Sequence, residues 1–233
     1  MKKLLISLIS LLLMSLIITP VSAKESIKGI SDPAKLQELG AKMIDKRVSA
    51  ISKYDNLLLQ TKNISEPTLT QVRGELSRVN GELDALKIKI QGETDIAILK
   101  ADLKSIVNNY RVYQVFLPQS AGFVALDRLL AFQIKLTDLN NKIGQKATDL
   151  EGQGEDVTAI RELVQTAGQN LNTAGEQIAL ANSKFVAMTI TDVEGARTLK
   201  LEGRTALINA KQSFSEARKL MKDAIQAIKA LAE

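Results

Sequence analysis

Apolar residues in this chain recur at alternating spacings of three and four, and few patterns restrict a fold more. Only an α-helix returns positions i, i+3, i+4 and i+7 to one side. One such series is Leu69, Val72, Leu76, Val79, Leu83, Leu86 and Ile90; a second is Ile96, Leu99, Leu103, Ile106, Tyr110, Tyr113 and Leu117. A third runs Val157, Ile160, Val164, Ala167, Leu171, Ala174, Ile178, Ala181, Phe185 and Met188. The last is Leu207, Ala210, Phe214, Ala217, Met221, Ala224, Ile228 and Leu231. In these two final series large residues alternate with alanine, which lets two backbones approach more closely than leucine against leucine. They are therefore expected to pair antiparallel, with Ala167, Ala174 and Ala181 facing Ala210, Ala217 and Ala224.

Breaks between the series set the predicted helices at about 33–62, 67–91, 94–117, 120–151, 155–188 and 192–232. Asp32-Pro33 supplies an acidic N-cap followed by proline where its missing N–H does no harm. Thr68 with Gln71, and Thr191 with Glu194, read as capping boxes for the second and sixth helices. Pro118 is expected to stop or kink the third helix. The fourth has a less regular apolar face, read as Phe123, Leu126, Leu130, Ile134, Leu139 and Ile143. Gly152-Gln153-Gly154 is a turn that folds the fourth and fifth helices into a hairpin. Helical glycines at Gly74, Gly81, Gly144, Gly168, Gly175, Gly195 and Gly203 are either close-packing points or tolerated, each at up to about 1 kcal/mol against alanine. The expected fold is all-α: one elongated up-and-down bundle of heptad, coiled-coil-like hairpins over residues 24–233.

Residues 1–23 read differently. Met1-Lys2-Lys3 opens a stretch from Leu4 to Ile18 interrupted only by Ser7, Ser10 and Ser15, and Pro20-Val21-Ser22-Ala23 ends it with small residues. This is the pattern of a secretory signal peptide cut after Ala23. The alternative, an anchor that stays in the membrane, needs roughly 20 apolar residues. The expected location is the periplasm, the cell surface or the medium. Loss of Lys2 and Lys3 takes the formal charge from +5 to +3.

The chain has no cysteine and no histidine, which removes disulfides, thiolate and imidazole chemistry and most metal sites. Two-metal carboxylate bundles need Glu-x-x-His pairs, which cannot exist here. No Ser-x-x-Lys tetrad follows Ala23, and Ser49 with Lys53 lies on an ordinary charged helix face. Gly152-x-Gly154 is too short to cradle a phosphate. No catalytic residue, cofactor or metal is therefore assigned, and the chain is read as non-enzymatic.

Two features remain as candidate contact sites. Tyr110, Tyr113, Phe116, Phe123 and Phe132 place five of the eight aromatics within 23 residues. They form either a core junction or a patch for a partner or membrane, since Val112, Val115 and Phe116 lie off the seam and Pro118 with Gly122 could re-hinge the segment. The second feature is the basic row Arg197, Arg204, Lys211 and Arg218, one residue every seven. It fits an anionic surface, or salt bridges to Glu155, Asp156, Glu162 and Glu176 on the fifth helix.

The stretch Tyr110-Arg-Val-Tyr with its Leu117-Pro118 ending, followed by Ala125-Leu126-Asp127-Arg128, resembles a segment of exported bacterial all-helical proteins that carry no assigned activity. The likeness covers about 20 residues, with the signal peptide and helical layout, and implies an exported bundle. Arg128 in this setting is expected to cap carbonyls or pair with a carboxylate. The function expected is that of an exported helical scaffold or interaction protein whose partner is a protein or envelope component, with nucleic acid disfavoured. The alternative is a membrane-active, pore-forming-type bundle that inserts residues 112–134; Asp127, Arg128 and Gln133 oppose insertion.

Overall fold

The computed structural model describes residues 27, 29–62 and 64–231; the expected signal peptide at 1–23 and the end of the sixth predicted helix at 232 lie outside them. The described chain is all-α: α1 Pro33–Gln60, α2 Glu66–Gly92, α3 Ile96–Asn108, a π-helix Val112–Phe116, α4 Leu117–Glu151, α5 Thr158–Val186 and α6 Val193–Leu231. No strand occurs among the described residues.

Helix starts follow local hydrogen-bond chemistry. Asp32 caps α1 as expected, its carboxylate accepting from Ala34 N–H at 3.0 Å with Pro33 in the first turn. Asp95 caps α3, accepting from Ala97 and Ile98. Two expected capping boxes are corrected. Ser65, three residues before Thr68, caps α2, because Pro67 can occupy the first turn without a donor and so lets the helix begin at Glu66. Asp192 caps α6 by accepting from Gly195 N–H at 2.9 Å; its carboxylate reaches the third helical N–H from the position Thr191 was expected to fill.

Pro118 does not end the third helix. That helix stops at Asn108, and the chain re-enters helical geometry through the π-turn, where Phe116 N–H reaches back to Arg111 C=O at 3.3 Å. Proline inside a helix removes one N–H and crowds the carbonyl four residues back. Widening the preceding turn relieves both, and Pro118 becomes a first-turn residue of α4.

The chain divides into two compact units, residues up to Val124 with Ala187–Leu199, and Ala125–Val186 with Lys200 onwards. In the first, α2 runs antiparallel to α1, as shown by Arg73–Asp55 at 2.7 Å and Lys87–Asp45 at 2.6 Å. It is also antiparallel to α3, to which it is tied by Lys89–Asp102. The core joins Leu36, Ile44, Ile51 and Leu58 of α1, a face not predicted, to the expected series Val72, Leu76, Val79, Leu83 and Ile90 of α2 and Leu99, Leu103 and Ile106 of α3. Gly40 lets the three helices converge, since a Cβ there would lie 3.0 Å from both Ile90 and Leu103.

In the second unit α4 and α5 form the expected hairpin. Gly154 takes φ +92 in the connecting turn, a conformation open to glycine. The α4 face needs correction. Leu130, Ile134 and Leu139 are exposed, while the buried stripe is Leu129, Leu136, Asn140, Ile143, Ala147 and Leu150, with Gln133 half-buried in the same series. Gln133 and Asn140 donate to the α5 carbonyls of Leu171 and Val164 at 3.1 and 3.2 Å.

α5 and α6 are antiparallel, joined by Lys184–Glu202 at 2.8 Å and by Asn209 donating to Gln177. The six seam alanines are fully buried. Continuing the register of those contacts sets Ile178 opposite Ala210 and Leu171 opposite Ala217, while the Phe185 ring lies against Gly203. The alanines therefore do not face one another as expected. Each large side chain fills the space a small one leaves on the other helix, which evens the packing along the seam.

Candidate functional site

The aromatic segment up to Phe123 belongs to the first unit, while Phe132 lies in the second. Val112, Val115 and Phe116, expected off the seam, are buried, because the π-turn rotates them inward. Tyr110 and Phe123 pack against the same core half-buried. The Tyr113 hydroxyl donates to Lys46 C=O at 2.8 Å, and the Arg47 guanidinium lies 6.0 Å from its ring while donating to the Met43 and Tyr110 carbonyls. On the other side Arg78, held by Glu75 and Glu82, stands 6.0 Å from the Phe116 ring. Burial pushes both Tyr110 and Tyr113 above the ordinary tyrosine range. Hydrogen bonds to α1 and the Arg78 cation against the Phe116 ring from α2 tie the segment down.

The basic row divides between the units, with exposed Arg197 in the first and half-buried Arg204, Lys211 and Arg218 in the second. The expected salt bridges to Glu155, Asp156, Glu162 and Glu176 do not form among the described residues. The reason is rotational: α6 meets α5 through Glu202 and Asn209, and the row lies on another side, toward α4. There the Phe132 and Phe214 rings meet edge to face, 5.4 Å between centroids. One turn before Phe132 stands Arg128, and one turn before Phe214 stands Lys211. Arg128 is 9% exposed, and no carbonyl or carboxylate partner is found for it among the described residues, contrary to expectation. Burial lowers its pKa. The Lys211 ammonium is lowered first by burial, then by the charges of Arg128 and Arg204.

Two open depressions flank the α4–α5 contact. One of about 280 Å³ is lined by Gly144, Ala147, Arg161, Val164 and Gln165. The other, of about 370 Å³, is lined by Gln133, Ile134, Thr137, Asp138 and Asn141. Each holds a single ionisable group, and Arg161 is engaged by Glu151. Neither has the convergent acid–base pair that chemistry at a pocket requires. Among the described residues no cluster of acidic ligands could hold a metal ion.

What sequence reasoning missed is the cluster of Arg128 with Arg204 and Lys211, because Arg128 lies more than 70 residues away from the other two. The available signal was the seven-residue basic period itself, repeated faintly in α4 by Arg128, Lys135 and Lys142. The geometry is that of an all-α bundle with solvent-facing helix stripes. No family model matches the chain, and no match is found among curated proteins or solved structures.

Proposed function

We propose that the protein is an exported, non-enzymatic helical scaffold that engages a protein or envelope partner through the outer face of α6. One observation carries this reading. Leu201 and Ile208 are 53% and 51% exposed, lie seven residues apart on one face of α6, and alternate with Arg204 and Lys211. Single exposed aliphatics are ordinary, but a stripe of apolar and cationic side chains on one helix matches what an acidic, amphipathic partner surface offers. The signal-peptide pattern of residues 1–23 supports export.

The test is crosslinking and affinity capture of the mature chain from its native envelope or culture fluid, beside the variant Leu201→Glu/Ile208→Glu. A partner held by the parent and released by the variant, at unchanged helicity, is the expected result. Equal capture by both overturns the α6 reading.

The membrane-active alternative has one favourable observation: the continuous stretch Ile96–Glu151 contains a window apolar enough to cross a bilayer. The core helix of a soluble protein satisfies the same criterion. Insertion would withdraw Val112, Val115, Phe116, Val124, Leu126 and Leu129 from buried positions, at about 1.5–3 kcal/mol for each large side chain. Dye release from liposomes treated with the mature chain is the outcome that would favour it.

A further inference from the structure

A guanidinium withdrawn from water with no acceptor is unfavourable, because it loses hydration and gains no hydrogen bond in return. Arg128 approaches that position: the residue is 9% exposed, its guanidinium nitrogens keep contact with solvent, and no hydrogen bond or ion pair is found for it among the described residues. The aromatic contact of Phe132 with Phe214 fixes α4 beside α6, so that Lys211, one turn before Phe214, comes up beside Arg128, one turn before Phe132. Arg204 precedes Lys211 by two turns on the same face. The remaining side chains of that α6 face are Leu201, Ile208, Ser215, Arg218 and Lys222, with no carboxylate among them. On α4, Lys135 follows Arg128 by two turns, and the acids Asp127 and Asp138 stand on other faces, Asp138 paired with Lys142. Three cations from two helices thus come together beside an α6 face that carries no carboxylate.

We infer that Arg128, Lys211 and Arg204 form a binding site for a phosphate group between α4 and α6. The flat fork of a guanidinium offers two parallel N–H donors to an oxyanion, and a flanking ammonium adds a mobile third. The Lys211 pKa is lowered first by burial and then by its two arginine neighbours, and the second part agrees with mutual repulsion that a bound dianion would relieve. The phosphate is either free in solution or the headgroup of an anionic lipid, which the exposed Leu201 and Ile208 on the same α6 face would suit. The inference stands on Arg128 and does not depend on the scaffold reading.

The experiment uses the mature chain with inorganic phosphate, and separately with vesicles of phosphatidylglycerol and phosphatidylcholine against phosphatidylcholine alone. Phosphate is expected to raise the thermal midpoint by about 2 °C or more beyond sodium chloride of equal ionic strength. Arg128→Gln and Lys211→Gln should each weaken phosphate binding at least tenfold, while Lys146→Gln on an exposed part of α4 leaves it intact. Flotation with the anionic vesicles that is lost in Arg128→Gln assigns the phosphate to a lipid headgroup; a response to inorganic phosphate alone assigns it to a free anion. Two variants guard against a folding defect, which circular dichroism reads directly. The site is refuted if neither probe acts beyond the salt control, or if the response persists in both Arg128→Gln and Lys211→Gln.

Discussion

Individual residues in this fold are set by what surrounds them, and three of them give sharp expectations. The Tyr54 hydroxyl is buried with no hydrogen-bond partner among the described residues, and burial holds its pKa well above the ordinary tyrosine value. Below pH 10 both folded and unfolded chains keep it neutral. Above that, only the unfolded chain ionises freely, so stability falls as pH climbs past the ordinary tyrosine pKa. Tyr54→Phe removes an orphaned polar group worth about 1–3 kcal/mol. Thermal melts should show Tyr54→Phe equal to or above the parent at pH 7, with its advantage widening at pH 11. Glycines give the second expectation. Gly40→Ala forces a methyl against Ile90 and Leu103 and should lower the midpoint, whereas a Cβ at Gly81 meets nothing within 4 Å. Gly81→Ala should therefore stabilise by about 0.5–1 kcal/mol, measurable by urea titration.

At the scale of elements, periodicity made the four regular seams legible, and it failed where polar residues enter a seam. Gln133 and Asn140 occupy two layers of the α4 stripe, so an apolar count skips them and slides onto Leu130, Ile134 and Leu139, which solvent covers instead. Their amides reach α5 carbonyls, and such contacts fix the register of two helices at some cost in stability. Asn140→Asp replaces the donor by a carboxylate facing Val164 C=O and should destabilise by about 1–3 kcal/mol in chemical denaturation. The α5–α6 pair was legible as a close contact but not in its register, because alternating large and small residues fit two registers equally until polar contacts such as Gln177–Asn209 choose one. In the observed register Ala174 is fully buried. Ala174→Leu overpacks the seam and should lower stability by about 1–3 kcal/mol, while Gln169→Leu on the exposed side changes little. An unchanged or higher midpoint for Ala174→Leu would count against a tight seam. The π-turn was invisible to periodicity, since a five-residue rotation leaves the aromatic spacing ambiguous.

At the scale of the whole molecule, two units each hold three antiparallel or parallel helical neighbours around their own core, and residues 1–23 carry an export pattern. If that pattern acts as expected, the protein recovered outside the cytoplasm begins at Lys24, which N-terminal sequencing reads. The candidate site was legible only in half: the basic row was visible, but its meeting with Arg128 depends on which face of α6 turns toward α4. The pairing of helices within each unit underlies both the site and the α6 stripe, and the natural absence of cysteine makes it testable without background. Paired cysteines at Asp45 and Lys87, and at Gln177 and Asn209, stand where side chains touch at 2.6 and 3.4 Å. Moving the second cysteine by seven residues, to Asn80 or Glu216, shifts it about 10 Å along the helix. Treatment with a short thiol-specific crosslinker should join both matched pairs rapidly and leave both shifted pairs unjoined; crosslinking of the shifted pairs in preference to the matched ones would contradict the fold and everything built on it.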